Sequence, residues 1–149
     1  MSHVVTAIST LEKLAMLNFL HEHDVHLPPS MDFQAFGTVS KRDELMGVVA
    51  YNGFWGHVCS MHTAGVGNWI TRPLIWRSFD YPFRQLELKA VLAPVAAHNE
   101  RALKLNRRLG FKDIHVVKDG WDDGDDLIIL QMKPEECIWF SKFDRRFAH

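Results

Sequence analysis

The chain has 149 residues, of which 47% are hydrophobic, and a formal net charge of −1. This length and composition are typical of one domain with a hydrophobic core, and they exclude a disordered or fibrous chain. The near-neutral charge gives no electrostatic reason to expect nucleic acid or an anionic membrane as the main partner.

The cysteine content and the start of the chain bear on where the protein works. Two cysteines, Cys59 and Cys137, are too few for a disulfide framework and suit a reducing cytoplasm. The opening residues, MSHVVTAIST, lack the basic segment and long apolar core of a signal peptide. No apolar run has the length of a membrane span. We therefore expect a cytoplasmic protein with a single domain over residues 1–149.

The first half of the chain predicts one helix and three strands. Ser9 followed by Glu12 forms a capping box, and apolar residues including Leu11 and Leu14 then recur at helical spacing. These features predict a helix over residues 10–21. After a proline-containing loop, strands are predicted at residues 33–40, 44–56 and 57–64.

The second half alternates between helix and strand. A short helix is predicted around residues 74–79, with Pro73 in its first turn and Tyr81-Pro82 closing it. A strand follows at residues 86–93, stopped by Pro94, then a helix after Asn99, and finally a hairpin of residues 112–120 and 126–137. The resulting order predicts a mixed α/β fold with an antiparallel front half and a strand–helix–strand crossover.

Two asparagines stand out in the third predicted helix. Asn99 is a good N-cap, and Gly110 suits the left-handed position after the last turn. Asn106 lies within the apolar stripe that contains Leu105 and Leu109. A buried amide without a partner costs about 1–3 kcal/mol, so Asn106 should find a protein partner, a water or a ligand. Simple capping at Asn99 and partial exposure of Asn106 are the alternatives.

Four segments, in this order and spacing, resemble the GCN5-related N-acetyltransferase (GNAT) superfamily: MHTAGVGNWITR, FDYPFRQL, AVLAPVAAHNERALKLNRRLGF and DGDDLIILQM. The resemblance covers residues 44–137 and is greatest to the small members encoded by bacteriophages and prophages. It implies a mixed central sheet with flanking helices, in which residues 57–64 and 86–93 form a splayed parallel pair. It also implies acetyl-CoA as cosubstrate, with its pantetheine arm between these strands.

The resemblance also assigns cofactor-binding residues. It places the pyrophosphate over the loop after the first splayed strand and the pantetheine arm against Asn99. Backbone N–H groups at a helix N-terminus suit a phosphate, and an arginine adds a charge-assisted contact. The residues of the loop and its flanks that are expected to contact the cofactor are Thr63, Ala64, Gly65, Val66, Gly67, Asn68, Trp69 and Arg72.

Two positions bear on catalysis. His62, at the end of its strand, is the candidate base because an imidazole titrates near neutrality; a hydrogen-bonded histidine without a catalytic role is the alternative. Asn106 falls where many members of the superfamily carry a tyrosine that protonates the leaving thiolate, and an amide cannot act as a general acid. The loop is also shorter than the usual Gln/Arg-x-x-Gly-x-Gly/Ala pattern of the superfamily.

Other clusters have competing interpretations. The HEHDVH segment straddles a helix end and a loop, and on a strand His57 and Cys59 would face away from His62, so we expect no metal site. The aspartates of residues 119–126 either attract a cationic amine or are solvated hairpin charges. The aromatic, basic tail of residues 137–149 either docks on the domain or forms the contact of a homodimer.

The sequence thus favours an acetyl-CoA-dependent N-acetyltransferase in which a small-molecule or protein amine attacks the thioester directly. We expect the protein to work in the cytoplasm, or in the cytoplasm of the host cell if a phage encodes it. An alternative is a GNAT-fold protein that binds CoA, or has lost it, and contacts a host protein. The missing tyrosine and short loop favour this alternative, whereas Asn99 and the loop glycines favour the enzyme. A nucleic-acid-modifying enzyme fits the balanced charge less well.

Overall fold

The computed structural model describes residues 2–28, 30 and 32–147, with side chains up to residue 143. The strands are β1 (His3–Thr6), β2 (Gln34–Val39), β3 (Leu45–Trp55), β4 (Val58–Gly65), β5 (Ala90–Ala96), β6 (Lys112–Asp122) and β7 (Asp125–Met132). The helices are α1 (Thr10–Glu22), α2 (Arg72–Asp80), α3 (Glu100–Leu109) and α4 (Trp139–Phe147). A π-helical turn (Tyr81–Gln85) follows α2, and a 3-10 turn (Pro134–Glu136) precedes α4.

The strands form a seven-stranded sheet in the order β1-β2-β3-β4-β5-β7-β6. Neighbouring strands are antiparallel except β4 and β5, which are parallel and joined through α2. This confirms the mixed α/β fold, the antiparallel front half and the parallel pair that the sequence predicted. The N-terminal strand β1, which pairs with β2, was not predicted.

The parallel pair separates after a short stretch. Its residue pairs run from Val58 opposite Ala90 to Ser60 opposite Leu92. Beyond these pairs β4 continues to Gly65 and β5 to Ala96 without a shared ladder. The carboxyl-terminal ends of the two strands are therefore not paired with each other, as expected of a splayed pair.

One of the two predictions about prolines is wrong. Pro94 does not stop β5, which continues to Ala96 and stays paired with β7. A proline is tolerated there because it lies past the last pair with β4, so β5 has one neighbour at this point. Tyr81-Pro82 follows Asp80, the last residue of α2, as predicted. The chain then continues in a π-helical turn to Gln85, in which the Leu86 amide donates to the Tyr81 carbonyl over 3.0 Å.

Each face of the sheet carries a hydrophobic cluster. The larger one lies under α2 and α3, and the smaller one under α1. The capping box at Ser9 and Glu12 is present as predicted. However, Met16 and Leu20 form the buried face of α1, whereas Leu11 is 79% exposed. Leu11 and Leu14, on which the helix prediction rested, therefore lie on its outer face.

The first residues of the carboxyl-terminal tail dock on the domain. The Trp139 indole N–H donates to the carbonyl of Leu109 at the end of α3 over 2.8 Å. The Arg84 guanidinium lies 3.7 Å from the centre of the Phe140 ring. The last predicted strand ends at Met132 instead of residue 137, because Pro134 begins a 3-10 turn. Among the described residues, none of the helices has the length and hydrophobicity to span a bilayer.

Candidate active site

The candidate site is the gap between the ends of β4 and β5. In an open sheet, ligands bind outside the carboxyl ends of parallel strands, where the chain turns away to opposite sides. Residues 66–71 follow β4, and residues 97–99 follow β5, so both loops lie at this edge of the sheet. The gap thus collects most of the residues that the resemblance assigned to the cofactor.

The loop after β4 presents backbone to solvent. Val66, Gly67 and Asn68 are exposed, and Gly67 has a φ of 60°, the left-handed region that favours glycine. The Val66 amide is bound to the Met46 carbonyl over 2.7 Å. Helix α2 then begins at the exposed Arg72. The N–H groups of Gly67 and Asn68 and the Arg72 cation are therefore available where the sequence predicted a phosphate site. At the start of α2, in contrast, Pro73 has no N–H and the Leu74 N–H donates to the Thr71 hydroxyl over 3.2 Å.

The end of this loop is anchored by Trp69, which is 7% exposed. Its indole lies on the backbone of Gly47 and Gly65, which face each other across β3 and β4. A Cβ at either glycine would come within 2.2 Å of the ring. The Thr38 hydroxyl also donates to the Trp69 carbonyl over 2.8 Å. The indole therefore packs in the core, and the exposed backbone before it is the part of the loop open to a ligand.

Helix α3 begins at the other side of the gap. The Asn99 side-chain oxygen accepts from the Ala102 amide over 3.1 Å, and Gly110 has a φ of 115°. Both predicted caps are confirmed. Because Oδ1 of Asn99 is used in capping, its Nδ2 is the group left to donate to a ligand.

Both ends of α3 are fastened to the β6–β7 hairpin. At its start the Ala97 amide donates to the Asp126 carbonyl over 2.8 Å, and the His98 imidazole is bonded to the Asp125 carboxylate. At its end Arg107 binds Asp113 with two hydrogen bonds of 3.0 and 2.7 Å. The helix is thus held in place by the hairpin rather than by the hydrophobic cluster alone.

Asn106 is buried, with 4% of its surface exposed, so the alternative of partial exposure is wrong. Its Nδ2 donates to the Ala102 carbonyl over 2.9 Å, while its Oδ1 is the one fully buried side-chain polar atom without a partner in the described part of the chain. A buried acceptor without a donor is unfavourable by about 1–3 kcal/mol. A donor from a ligand or a water would satisfy it.

The candidate residues are divided between the two faces of the sheet. Thr63 faces α2 and α3, where it lines a narrow apolar cavity with Leu105 and Leu109. His62 and Ala64 point to the opposite face, the one covered by α1. Groups on the two faces can therefore act on one molecule only through the gap between β4 and β5.

His62 is neutral in this environment. Its Nε2 lies 2.7 Å from Oδ1 of Asn52, and because an amide oxygen only accepts, Nε2 carries the proton and Nδ1 keeps its lone pair. Desolvation lowers the pKa of His62 to about 4. At pH 7 the imidazole can accept a proton but is a weak base. Sequence reasoning missed Asn52, although alternation across the β3–β4 hairpin places it diagonally from His62 on one face.

The remaining chemical groups have structural explanations. Burial raises the pKa of the Cys59 thiol to about 12, as expected of an unreactive core thiol. In the acidic turn, Asp119 accepts from the Gly124 amide and Asp126 accepts from the Asp119 amide. Throughout residues 2–28, 30 and 32–147, no three histidine, cysteine or acidic side chains are placed to hold a metal ion together.

No protein-family model matches this sequence, and no curated protein matches it. Solved structures of the same fold come from Vibrio cholerae. Mutant forms of the spermidine/spermine N-acetyltransferase SpeG share 16% identity, with a TM-score of 0.71 over 95% of this chain and 97% of theirs. Spermidine N-acetyltransferase in complex with CoA and spermine shares 15% identity, with a TM-score of 0.68 over 91% and 96%. A dodecameric structure of spermidine N-acetyltransferase shares 14% identity, with a TM-score of 0.69 over 97% and 98%. At these identities the likeness shows the fold.

Gly65→Ala should destabilise the protein by about 1–3 kcal/mol, because its Cβ would overlap the Trp69 ring. Urea unfolding measures the change. Gly37→Ala is the matched control, since there the two nearest atoms are the ends of the flexible Leu45 and Met16 side chains, and it should cost less. Adding Trp69→Leu should reduce the penalty of Gly65→Ala. Equal losses for both glycine variants would contradict the packing of Trp69 on the strands.

The pKa of His62 makes stability depend on pH. A histidine with an ordinary pKa of about 6.5 binds a proton in the unfolded chain between pH 6.5 and 4, whereas folded His62 stays neutral. Stability is therefore lost as the pH falls through this window, by about 2 kcal/mol between pH 7.5 and pH 5. His62→Gln, which can still bond to Asn52, should lose that much less in urea unfolding across the same range. Parallel pH profiles for the two proteins would refute the assignment.

Proposed function

We propose that the chain is an acetyl-CoA-dependent N-acetyltransferase. The observation that carries the proposal is the gap between β4 and β5, because the two strands are no longer paired with each other beyond Ser60 and Leu92. An exposed glycine loop and the start of α2 adjoin it on one side, and the Asn99 cap on the other. The fold is also that of an acetyltransferase solved in complex with CoA and spermine.

The residues at the gap fit the chemistry of coenzyme A. Its pantetheine arm carries amide groups that can bond to free strand edges, in the way that an added strand does. The backbone N–H groups of Gly67 and Asn68, with the Arg72 guanidinium, would hold the pyrophosphate. Nδ2 of Asn99 would donate to a carbonyl of the arm. Oδ1 of Asn106, which lacks a donor, would accept from a bound ligand.

Acetyl-CoA supplies an acetyl group activated as a thioester. The acceptor amine would approach from the α1 face, where Nδ1 of His62 is the base. With a pKa of about 4, His62 cannot deprotonate a free ammonium ion efficiently, so it would take the proton only once the nitrogen has begun to bond to carbon and become more acidic. On the other face Asn106 has no proton to give. A thiol has a pKa of about 8.5, so its thiolate is stable enough to leave without a dedicated acid.

The acceptor class, the assembly and the location complete the proposal. We propose a small-molecule or protein amine as acceptor, and a polyamine as the first to test, because the fold is shared with an acetyltransferase that binds spermine. We also propose that this chain self-associates, as a spermidine acetyltransferase of this fold does. A single domain in the cytoplasm suits a chain whose cysteines, Cys59 and Cys137, form no disulfide with each other. Kinship with phage-encoded members stays a prediction.

The second candidate function is a CoA-binding protein without transfer activity. The observation that favours it is Asn106, which occupies the position where the resemblance expects an acid. Such a protein would bind acetyl-CoA at the same gap and act through contact with another protein.

Calorimetric titration of the full chain with acetyl-CoA tests the proposal. We expect saturable binding and release of free thiol when spermidine or another amine is added. Absence of binding at millimolar acetyl-CoA would overturn both candidates. Binding without thiol release across a panel of polyamines, peptides and aminoglycosides would overturn the enzyme and leave the binding protein.

Substitution of Asn99 separates its two roles. Asn99→Ser keeps an N-cap, so the free energy of unfolding should change by less than about 0.5 kcal/mol. The loss of Nδ2 should weaken acetyl-CoA binding by about tenfold, since a bond of about 1.4 kcal/mol is removed. Asn99→Ala, the comparison variant, should lose the affinity and also about 1 kcal/mol of stability. If Asn99→Ser bound acetyl-CoA with unchanged affinity, Asn99 would be a helix cap without a role in cofactor binding.

A further inference from the structure

Two histidines meet at the end of α1. Nδ1 of His26, in the loop after the helix, lies 2.8 Å from Nδ1 of His21, in the last turn of the helix. The two rings are nearly perpendicular, with their centres 4.0 Å apart, and both residues are exposed. Imidazole is the commonest metal ligand among protein side chains. The sequence predicted no metal site here because the segment straddles a helix end and a loop, yet the turn between them brings these two imidazoles together.

The backbone holds the histidine pair in place independently of the contact between the rings. Helix α1 ends in a tight turn, in which the Val25 amide donates to the Leu20 carbonyl over 2.9 Å and the Asp24 amide donates to the His21 carbonyl over 3.2 Å. Asp24 has a φ of 62°, in the left-handed region that ends many helices. Leu20 is buried, and Val25 packs against the hydrophobic cluster under α1. The two imidazoles are therefore brought together before any ligand binds.

We propose that His21 and His26 bind a divalent transition-metal ion, Cu²⁺ or Ni²⁺, through their Nδ1 atoms. Metal–imidazole bonds are about 2.0–2.1 Å long, so two nitrogens at a right angle around an ion are about 2.9 Å apart, and at a tetrahedral angle about 3.3 Å. The 2.8 Å between the two Nδ1 atoms fits the right angle of square-planar or tetragonal coordination, which is typical of Cu²⁺ and Ni²⁺. Water would fill the remaining positions. The site is independent of acetyl transfer.

The hydrogen bonds of the pair show how little has to change for an ion to bind. In the contact between the rings one Nδ1 donates and the other accepts, so at least one ring is neutral. Nε2 of His26 lies 4.0 Å from Oδ1 of Asp24, which favours a proton on Nε2 and a lone pair on Nδ1. When both rings are neutral, only the His21 proton has to move, from Nδ1 to Nε2, and no proton is released.

The surroundings of the pair favour a cation. Glu22 and Asp24 are exposed acidic residues beside it in the chain. A carboxylate near the second ring nitrogen is typical of histidines that bind metal ions. His23 is held apart from the pair, because its Nδ1 donates to the Phe19 carbonyl over 2.7 Å and its ring stacks on that of Phe19. The proposed site therefore has two protein ligands.

An ion bound to both histidines would join the end of α1 to the loop that follows it. Val25 and Leu27 of this loop pack on the same hydrophobic cluster as Ala64, which lies on β4 two residues after His62. The ion would therefore stabilise the segment that borders the α1 face of the sheet.

Calorimetric titration of the full chain with NiCl₂, without an affinity tag, tests the inference. His3→Ala is introduced in every protein, so that this exposed histidine of β1 does not compete for the ion. We expect the His3→Ala parent to bind one Ni²⁺ per chain. His21→Ala and His26→Ala should each weaken binding by at least about tenfold, since one of the two ligands is lost. His23→Ala is the matched control, a histidine of the same segment outside the pair, and should bind Ni²⁺ as the parent does.

Asp24→Asn tests the role of the carboxylate. Asparagine also adopts a positive φ, so the turn should be kept, while Ni²⁺ binding should weaken by about tenfold. Ni²⁺ should also raise the melting temperature of the parent and not that of His26→Ala, and circular dichroism checks that each variant is folded. Three results would overturn the inference: a parent that does not bind Ni²⁺ at millimolar concentration, an affinity unchanged in His21→Ala and His26→Ala, or an equal loss in His23→Ala.

Discussion

The contact on which the candidate site depends is that of one indole with two glycines. Trp69 lies where the backbones of β3 and β4 carry no side chains, at Gly47 and Gly65. Because the ring fills this space, the loop before it is drawn against the end of the sheet and α2 starts at a fixed place. The exposed backbone of residues 66–68, the start of α2 and the opening beside β4 all take their positions from this contact. A bulkier residue at either glycine would displace the loop and with it the predicted phosphate site.

Structural features that depend on a few neighbouring residues could be predicted from the sequence. The capping box at Ser9 and Glu12 and the caps at Asn99 and Gly110 are confirmed, because each depends on one side chain and the backbone next to it. Features that depend on contacts between residues far apart in the sequence could not be predicted. Pro94 remains inside β5 because β5 is no longer paired with β4 at this point, and Leu11 faces outward because Met16 and Leu20 form the side of α1 that is buried on the sheet. Neither fact is contained in the local sequence.

The same distinction applies to the site. The sequence located Asn106 within an apolar stripe, and burial of this amide follows from the helix that places it there. The environment of His62 depends on Asn52, a residue on another strand, and on desolvation that lowers its pKa to about 4. A base chosen for an ordinary imidazole pKa is thus a much weaker base in the folded chain. The role of Trp69 was also hidden, because nothing in the loop itself shows which glycines its ring will meet.

The attachment of α3 to the β6–β7 hairpin has a consequence for local unfolding. The helix is tied at its start through Ala97 and His98, and at its end through Arg107. Neither element can therefore detach alone without breaking bonds at both ends of the helix. Amide hydrogens of α3 and of the hairpin should then exchange with solvent through one shared opening, as a single cooperative unit. Opening of the hairpin should therefore also loosen the start of α3, where Asn99 borders the gap.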